Sequence, residues 1–357
     1  MNKVAKKRIY FLLEYLGGRS GVENVLMNVT RYMEQLGYYV AVLLPNKSED
    51  NIWESQISNL FYYNEDVNLE IDNKLEFISS KVDGLNKLFD NIGYPDIIVA
   101  SHVPITTLYS RLLIGYTHDI KIISWIHSPL ALFGDSKKYL KYADIHWGIS
   151  DNIISELKNE VDEDLIYKVS NPISMEVENY NLELENNFIY IGRLENYTKR
   201  LDVLLNALSM CNFDWKLDIY GDGQDRYYVE EIIDKLNLSK RVNLKGYVEN
   251  PWSKIKNAKA LLLSSDYESF SLVVAEALCR GIPVVSTKSA GPIEMIKDGH
   301  NGYLADLGNV DSFKEKIEII SKLSADELER LKLNATKSVG DFSIEKVIER
   351  MRLTLKT

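Results

Sequence analysis

Short apolar runs that alternate with segments of helical periodicity constrain this chain more than any other feature of its sequence. The first run, Ile9–Leu13, leads through a glycine loop into a segment whose apolar residues recur every three or four positions up to Gly37. Such alternation is typical of parallel sheets covered by helices on both faces, so we expect an α/β fold. The predicted strands are 9–13, 39–44, 96–100, 121–126, 146–149, 188–191, 216–220, 242–244, 260–263 and 283–286, and the predicted helices lie near 22–36, after Ser150, and near 201–208, 229–236, 272–279, 313–323 and 344–351.

The alternation runs through two blocks, and 357 residues exceed the length of one simple domain. We therefore expect two Rossmann-like, doubly wound domains. The first spans residues 1–173 and the second spans 186–342, with the acidic, polar stretch 174–185 as the linker between them. Residues 46–94 are polar, rich in tyrosine and irregular in pattern, and their structure is the hardest to predict.

The composition excludes several classes of protein. Hydrophobic residues make up 45% of the chain and charged residues 26%, which excludes a disordered chain. The 42 basic and 52 acidic residues give a net charge of −10, which argues against a nucleic-acid binder because phosphate contacts need clustered basic residues. Cys211 and Cys279 have no metal-ligand spacing, which favours a reducing compartment.

No apolar run approaches the roughly 20 residues that span a bilayer, so we expect a cytoplasmic protein. The basic residues near the N-terminus are either solvated or make peripheral contact with anionic lipids on the inner face of the plasma membrane. They are Lys3, Lys6, Lys7 and Arg8.

The most specific candidate site lies between residues 264 and 276, where a strand leads into a helix. Glu268 falls in the loop before the predicted helix, and Glu276 falls inside it. The amides of the first helical turn between them have no partner within the helix and attract anions. Carboxylates accept hydrogen bonds from vicinal hydroxyls, so the pattern suits a nucleotide sugar. A solvated Glu268 beside a purely structural Glu276 fits the same spacing.

Two cations follow the first strand of the second domain. Arg193 stands directly after the strand and Lys199 precedes the next helix, where both could neutralise phosphate, although the adjacent Arg200 confuses the assignment. Turns at Gly221 and at Tyr247-Val248 end the next two strands, and in a parallel sheet they lie on the same edge.

The first domain offers a glycine loop and two histidines. Gly18 and Gly21 lie in the loop after the first strand, where the backbone can approach a ligand or simply make a tight turn. His127 and His102 each follow a predicted strand, where a histidine can orient a phosphate or a hydroxyl, and a structural role is as good an interpretation of each.

Several catalytic and metal-binding motifs are absent from the sequence. It contains no HExxH, no CxxC pair, no GxSxG and no P-loop. The stretch Asp162-Glu-Asp164 is formally a DxD motif, but it does not follow an apolar strand, so we expect no metal there.

Taken together, the motifs resemble those of the retaining glycosyltransferases of family 4, which have the GT-B fold of two Rossmann-like domains facing across a cleft. The strongest likeness is the E-x7-E motif, here Glu268 to Glu276, followed by an EAL…G-x-PVV pattern. Gly192-Arg193-Leu194, Lys199, the Gly221–Gly223 turn and the Asp298–Gly302 turn stand in the family's order. Within the family, the chain is most similar to bacterial transferases of lipopolysaccharide core, capsule or exopolysaccharide.

The resemblance implies a role for each matching residue of the donor site. Glu276 would hold the ribose hydroxyls, and Glu268 would contact the donor hexose. Arg193 and Lys199 would neutralise the leaving diphosphate. The groups that would assist are the amides of Phe270, Ser271 and Leu272, and the loop containing Gly18 and Gly21.

The resemblance also implies contacts beyond the diphosphate. His127 would face the hexose, and the base would rest near Tyr247 and Val248. The expected donor is a UDP-hexose, with no cofactor and no metal, and the acceptor is a glycan or a lipid-linked glycan. A helix at about 343–357 would return to the first domain.

Two other functions fit parts of the sequence. A non-catalytic GT-B partner of an active transferase would share the fold, but such partners usually lose the cations or the paired glutamates, which this chain keeps. A nicotinamide dehydrogenase would need the GxGxxG fingerprint, and the first loop reads GGxxG instead. One departure from the family pattern is Ser269, where glycine is frequent after the first glutamate.

Overall fold

A computed structural model describes residues 6–18, 20–64, 74–115, 119–175 and 185–355. The chain divides into two compact units, one of Met1–Pro172 with Ile344–Thr357 and one of Ile173–Ser343. Most of the linker predicted at 174–185 lies outside the described residues, as does Lys3.

The first unit is built on a parallel sheet of seven strands in the order β3-β2-β1-β4-β5-β6-β7. Its order reverses between β1 and β4, which makes the carboxyl ends of these strands the topological switch point. The strands are β1 (Arg8–Leu12), β2 (Tyr39–Leu44), β3 (Leu60–Tyr62), β4 (Ile97–Ser101), β5 (Lys121–Ile126), β6 (Ile145–Gly148) and β7 (Ile166–Lys168). The helices are α1 (Gly21–Gln35), α2 (Lys74–Ile92), α3 (Ile105–Ile114), α4 (Asp151–Leu157) and, from the end of the chain, α12 (Ile344–Thr354).

Helix α12 packs against the first unit through buried side chains and a hydrogen bond. Val347, Ile348 and Met351 lie on one face of the helix and are buried. The indole nitrogen of Trp147 in β6 donates to the hydroxyl of Thr354 over 2.9 Å. The last helix therefore completes the core of the first unit.

The second unit repeats the architecture with a parallel sheet of six strands in the order β10-β9-β8-β11-β12-β13. Its strand order reverses between β8 and β11. The strands are β8 (Asn187–Ile191), β9 (Lys216–Tyr220), β10 (Val242–Gly246), β11 (Ala260–Leu263), β12 (Val284–Thr287) and β13 (Gly302–Ala305). The helices are α5 (Asn196–Lys199), α6 (Leu201–Ser209), α7 (Arg226–Lys235), α8 (Leu272–Cys279), α9 (Ala290–Met295), α10 (Val310–Ser321) and α11 (Ala325–Ser338).

The predicted fold class is confirmed, whereas several elements were missed. The irregular stretch 46–94 contains β3 and all of α2. The buried face of α2 includes Lys81, and this polar residue interrupts the apolar period by which the helix could have been predicted. Helices α3 and α11 were not predicted either. Strand β13 begins at Gly302, a residue that was predicted only as part of a turn. The strand expected at 283–286 corresponds to β12, which lies one residue later in the sequence.

Candidate active site

The candidate site of the second unit lies at the carboxyl ends of β8 and β11, where the strand order reverses. Arg193 comes two residues after β8, and α5 ends at Lys199. The loop after β11 carries Glu268 and leads into α8, which carries Glu276. The fold therefore brings the ends of the E-x7-E motif and both cations to the switch point, where parallel sheets bind ligands.

Lys199 and Glu268 form an ion pair, with 2.7 Å between Lys199 Nζ and Glu268 Oε1. Both side chains are largely buried, at 23% and 11% exposure. The hydroxyl of Ser265 donates to the same carboxylate oxygen over 2.9 Å, and that of Ser264 donates to the carbonyl of Lys199 over 2.9 Å. Both serines are fully buried, so the loop after β11 fixes the cation and the carboxylate together.

The two arginines differ in their partners. Arg200 pairs with Asp202 at 3.0 Å and with Asp266 at 2.7 Å, which raises the pKa of its guanidinium above the usual range. Arg193 is exposed and makes no ion pair within the described part of the chain. Arg200 is therefore engaged by two carboxylates, whereas Arg193 is exposed to solvent.

Glu276 lies one turn inside α8 and is held by Trp252. The indole nitrogen of Trp252 donates to Glu276 Oε2 over 2.7 Å. Burial raises the pKa of the Glu276 carboxyl, while the indole bond and the charge of Arg280 act in the opposite direction. The Glu276 carboxylate is thus fixed to the unit by a specific contact with Trp252.

The backbone that precedes α8 has a defined conformation, which neighbouring residues hold in place. Ser271 has a φ of 68°, a left-handed conformation, directly before the first residue of the helix, Leu272. Phe270 is buried edge-on against Phe342, with ring centroids 5.1 Å apart. The amide of Gly291 donates to the carbonyl of Glu268 over 2.7 Å. The helix start is therefore positioned by neighbours on both sides, as a binding site for an anion requires.

The ends of β9 and β10 complete this edge of the sheet. Gly221 donates its amide to the carbonyl of Gly246 over 2.8 Å. A Cβ atom on Gly221 would lie 1.9 Å from the carbonyl oxygen of Gly192, so only glycine fits there. Tyr247 and Val248 follow β10 directly, and Tyr247 is 48% exposed.

In the glycine loop of the first unit, the Glu23 carboxylate accepts hydrogen bonds from two backbone amides. Glu23 Oε1 accepts from the amide of Gly18 over 2.8 Å, and Oε2 accepts from the amide of Ser20 over 3.0 Å. Ser20 and Glu23 form a capping box at the start of α1, whose first residue is Gly21. The amide of Gly18, which the resemblance places toward a donor, therefore has an internal partner in this structure.

His127 and His102 stand beside the switch point of the first unit. His127 is buried, its Nε2 lies 3.3 Å from the hydroxyl of Ser101, and its Nδ1 has no partner among the described residues. Burial lowers the pKa of His127 well below its usual value, and neighbouring His102, 6.3 Å away between ring centroids, lowers it further. The surroundings of His127 therefore disfavour the charged form of its imidazole.

The described residues contain neither a cluster of metal ligands nor a membrane-spanning helix. In the ranges that the structure describes, no three His, Cys, Asp or Glu side chains converge as metal ligands. Asp162 caps a short 3₁₀ turn through the amide of Asp164. No helix in the same ranges is long and apolar enough to cross a membrane.

Sequence reasoning missed three residues of this site. Ser264 and Ser265 had a usable signal, because they directly follow a predicted strand beside Glu268. Trp252 had none, since 24 residues of sequence separate it from Glu276 and only the fold brings them together.

Two Rossmann-like units, each built on a parallel sheet, are the architecture of GT-B glycosyltransferases. The family model "Glycosyl transferases group 1" matches residues 176–338. The lipopolysaccharide 1,6-galactosyltransferase of Salmonella typhimurium strain LT2 is 30% identical over 326 residues, which cover 86% of this chain and 87% of that protein. The chain belongs to the group 1 glycosyl transferases.

Solved structures agree with this assignment. The apo form of the lipopolysaccharide outer core galactosyltransferase WaaB matches with a TM-score of 0.84 and 26% identity, over 98% of this chain and 100% of that one. The Anabaena protein Alr3699/HepE in complex with UDP and glucose matches with a TM-score of 0.81 and 17% identity, over 98% and 99% of the two chains. The second likeness shows the fold alone.

Proposed function

We propose that this protein is a retaining hexosyltransferase of family 4 that transfers a hexose from a UDP-hexose, without a metal, to a glycan or lipid-linked glycan of a bacterial surface polysaccharide. The observation that carries the proposal is the arrangement of Lys199, Glu268 and Glu276 around the start of α8. The name of the Salmonella relative supports a galactose donor and a lipopolysaccharide acceptor.

The proposed chemistry follows from where charge develops. Breaking the bond between sugar and phosphate creates a cationic sugar and a negatively charged UDP. Lys199 and Arg193 stabilise that negative charge together with the amides of residues 270–272, and such prepositioned groups lower the barrier most. The Glu268 carboxylate accepts hydrogen bonds from hydroxyls of the hexose, and the Glu276 carboxylate accepts hydrogen bonds from the hydroxyls of the ribose.

Retention and metal independence are parts of the same proposal. The acceptor attacks on the face from which UDP leaves, and the departing phosphate takes the acceptor proton. The two cations supply the electrostatic stabilisation that a metal gives in other transferases. Tyr247 and Val248 support the base beside Gly221.

Thermal unfolding with UDP, GDP, ADP and NAD, each without metal, tests the donor site. A ligand at 100 times its Kd adds about 2.7 kcal/mol of stability, which gives a readable shift. We expect stabilisation by UDP alone, and its loss in Arg193→Ala. No shift with any nucleotide would overturn the donor site and favour a non-catalytic partner protein.

Turnover tests the reaction itself. Release of UDP from UDP-galactose or UDP-glucose is measured in the presence of EDTA with a truncated lipopolysaccharide core as the acceptor, and NMR of the glycoside product gives its anomeric configuration. We expect turnover with a retained configuration, and none in Glu268→Ala. An inverted product or loss of activity in EDTA would refute the mechanism.

Peripheral membrane contact is proposed for the first unit. Leu132 is 73% exposed in the stretch Leu130–Tyr142, which consists of two 3₁₀ turns on either side of a kink at Gly134. The stretch carries three lysines and one aspartate, and one of these lysines, Lys137, pairs with Glu160. Exposed leucine beside lysine suits an anionic lipid surface. Flotation with vesicles of phosphatidylglycerol should recover the protein, and Leu132→Asp should reduce that recovery. Equal recovery with neutral vesicles would refute the electrostatic part.

A further inference from the structure

Trp252 connects a turn distant in sequence to the carboxylate proposed to bind ribose. It lies in the 3₁₀ turn Pro251–Ser253, after β10, and is 6% exposed. Its indole nitrogen donates to Glu276 Oε2 over 2.7 Å. This bond occupies one carboxylate oxygen and restricts rotation of the glutamate side chain.

Arg280 holds the indole against the same helix. Its Cζ atom lies 4.6 Å from the centre of the Trp252 ring, within the range of a cation–π contact. Its Nη1 donates to the backbone carbonyl of Glu276, one turn earlier in α8, over 3.0 Å. Trp252 is therefore fixed to α8 both through the Glu276 carboxylate and through Arg280.

A second tryptophan of the same unit shows that the indole bond is not a general packing feature. Trp215 is also buried, at 2% exposure, and Arg241 lies over its ring at 5.3 Å. Its indole nitrogen has no hydrogen-bond partner among the described residues. The two sites share the buried ring and the arginine, and they differ in the carboxylate.

We propose that Trp252 is a positioning residue that aligns the Glu276 carboxylate for the ribose hydroxyls of the donor nucleotide. The inference rests on the proposed function and adds a residue to it. With Oε2 held by the indole, Oε1 has a fixed direction, so that the ribose meets an acceptor already in place. Preorganisation of this kind improves affinity because the side chain loses less freedom on binding.

The test compares UDP with 2′,3′-dideoxy-UDP, which lacks the ribose hydroxyls, by isothermal titration. We expect wild type to prefer UDP, and we expect Trp252→Phe to bind UDP about tenfold more weakly while binding the dideoxy nucleotide as wild type does. In turnover, the KM for the donor should rise more than kcat falls. Trp215→Phe is the matched control and should bind both nucleotides as wild type does.

Three results would overturn or reassign the inference. A folded Trp252→Phe protein that keeps the full preference for UDP would refute it. Wild type that binds both nucleotides equally would refute the ribose role of Glu276, and the inference with it, while leaving the UDP site intact. Wild type that binds neither would refute the proposed function first.

A second variant keeps the test decisive if Trp252→Phe does not fold. Arg280→Ala leaves the indole nitrogen in place and removes the group that holds the ring. We expect at least a threefold smaller preference for UDP over the dideoxy nucleotide. An unchanged preference in folded Arg280→Ala would count against positioning through Trp252.

Discussion

Neutralising Glu268 should make the protein bind UDP more tightly while it loses transferase activity. In the structure, Lys199 is already paired with Glu268. A diphosphate that recruits Lys199 must compete with that carboxylate and also experiences its negative charge. Glu268→Gln keeps the shape and a hydrogen bond to the lysine but removes the charge. The hexose contact is weakened at the same time, so turnover falls.

The size of the effect follows from the distance and the exposure of the pair. Two unit charges 2.7 Å apart interact with about 6 kcal/mol at an effective dielectric of 20. Because the side chains are 23% and 11% exposed, water and salt screen part of this energy. Coupling energies measured for close charge pairs begin at about 1.5 kcal/mol. That value corresponds to about tenfold in affinity.

Isothermal titration of UDP at low and high salt measures the effect. We expect the Kd of Glu268→Gln to be about tenfold below that of wild type, with a smaller difference at high salt. In the Lys199→Ala background, the same change should have a clearly smaller effect, because the ion pair is already gone. A Glu268→Gln protein that binds UDP no better than wild type would refute the competition between carboxylate and diphosphate.

Three further predictions concern positioning, packing and pH. Ser265→Ala should lower kcat at least threefold with little change in the Kd of UDP, because Glu268 loses its 2.9 Å bond; an unchanged kcat would contradict this. Gly221→Ala should destabilise the protein by about 1–3 kcal/mol in urea unfolding, whereas Gly340→Ala, with open space around it, should be neutral; equal effects would contradict the clash. Burial lowers the pKa of His146 to about 4, below its unfolded value near 6.5. The unfolded chain therefore binds a proton at this histidine more readily than the folded protein does, so the free energy of unfolding is highest above pH 6.5 and decreases as pH falls. Between pH 7 and pH 5 the loss should be about 2 kcal/mol, and His146→Gln should show a correspondingly weaker pH dependence of stability; the same dependence as wild type would refute the assignment.

The regular elements could be predicted where apolar periodicity was unbroken. Helix α8 was predicted at its observed bounds, 272–279, because all of its residues except Glu276 are apolar and Gly281 follows two residues after its end. Ser150 was recognised as a helix cap, and its hydroxyl accepts from the amide of Ile153. The three-residue strand β3, which is only partly buried, lacked a pattern long enough to detect.

The sequence by itself determined the fold class and the chemical groups of the candidate site. Local spacing decides which residues share a strand end or a helix start, and that was enough to select Glu268, Glu276, Arg193 and Lys199. Only the tertiary structure decided which groups touch. It paired Lys199 with Glu268 across 69 residues and Trp252 with Glu276 across 24. Such contacts depend on the order of strands in the sheet, which is set by long-range packing and leaves no local pattern in the sequence.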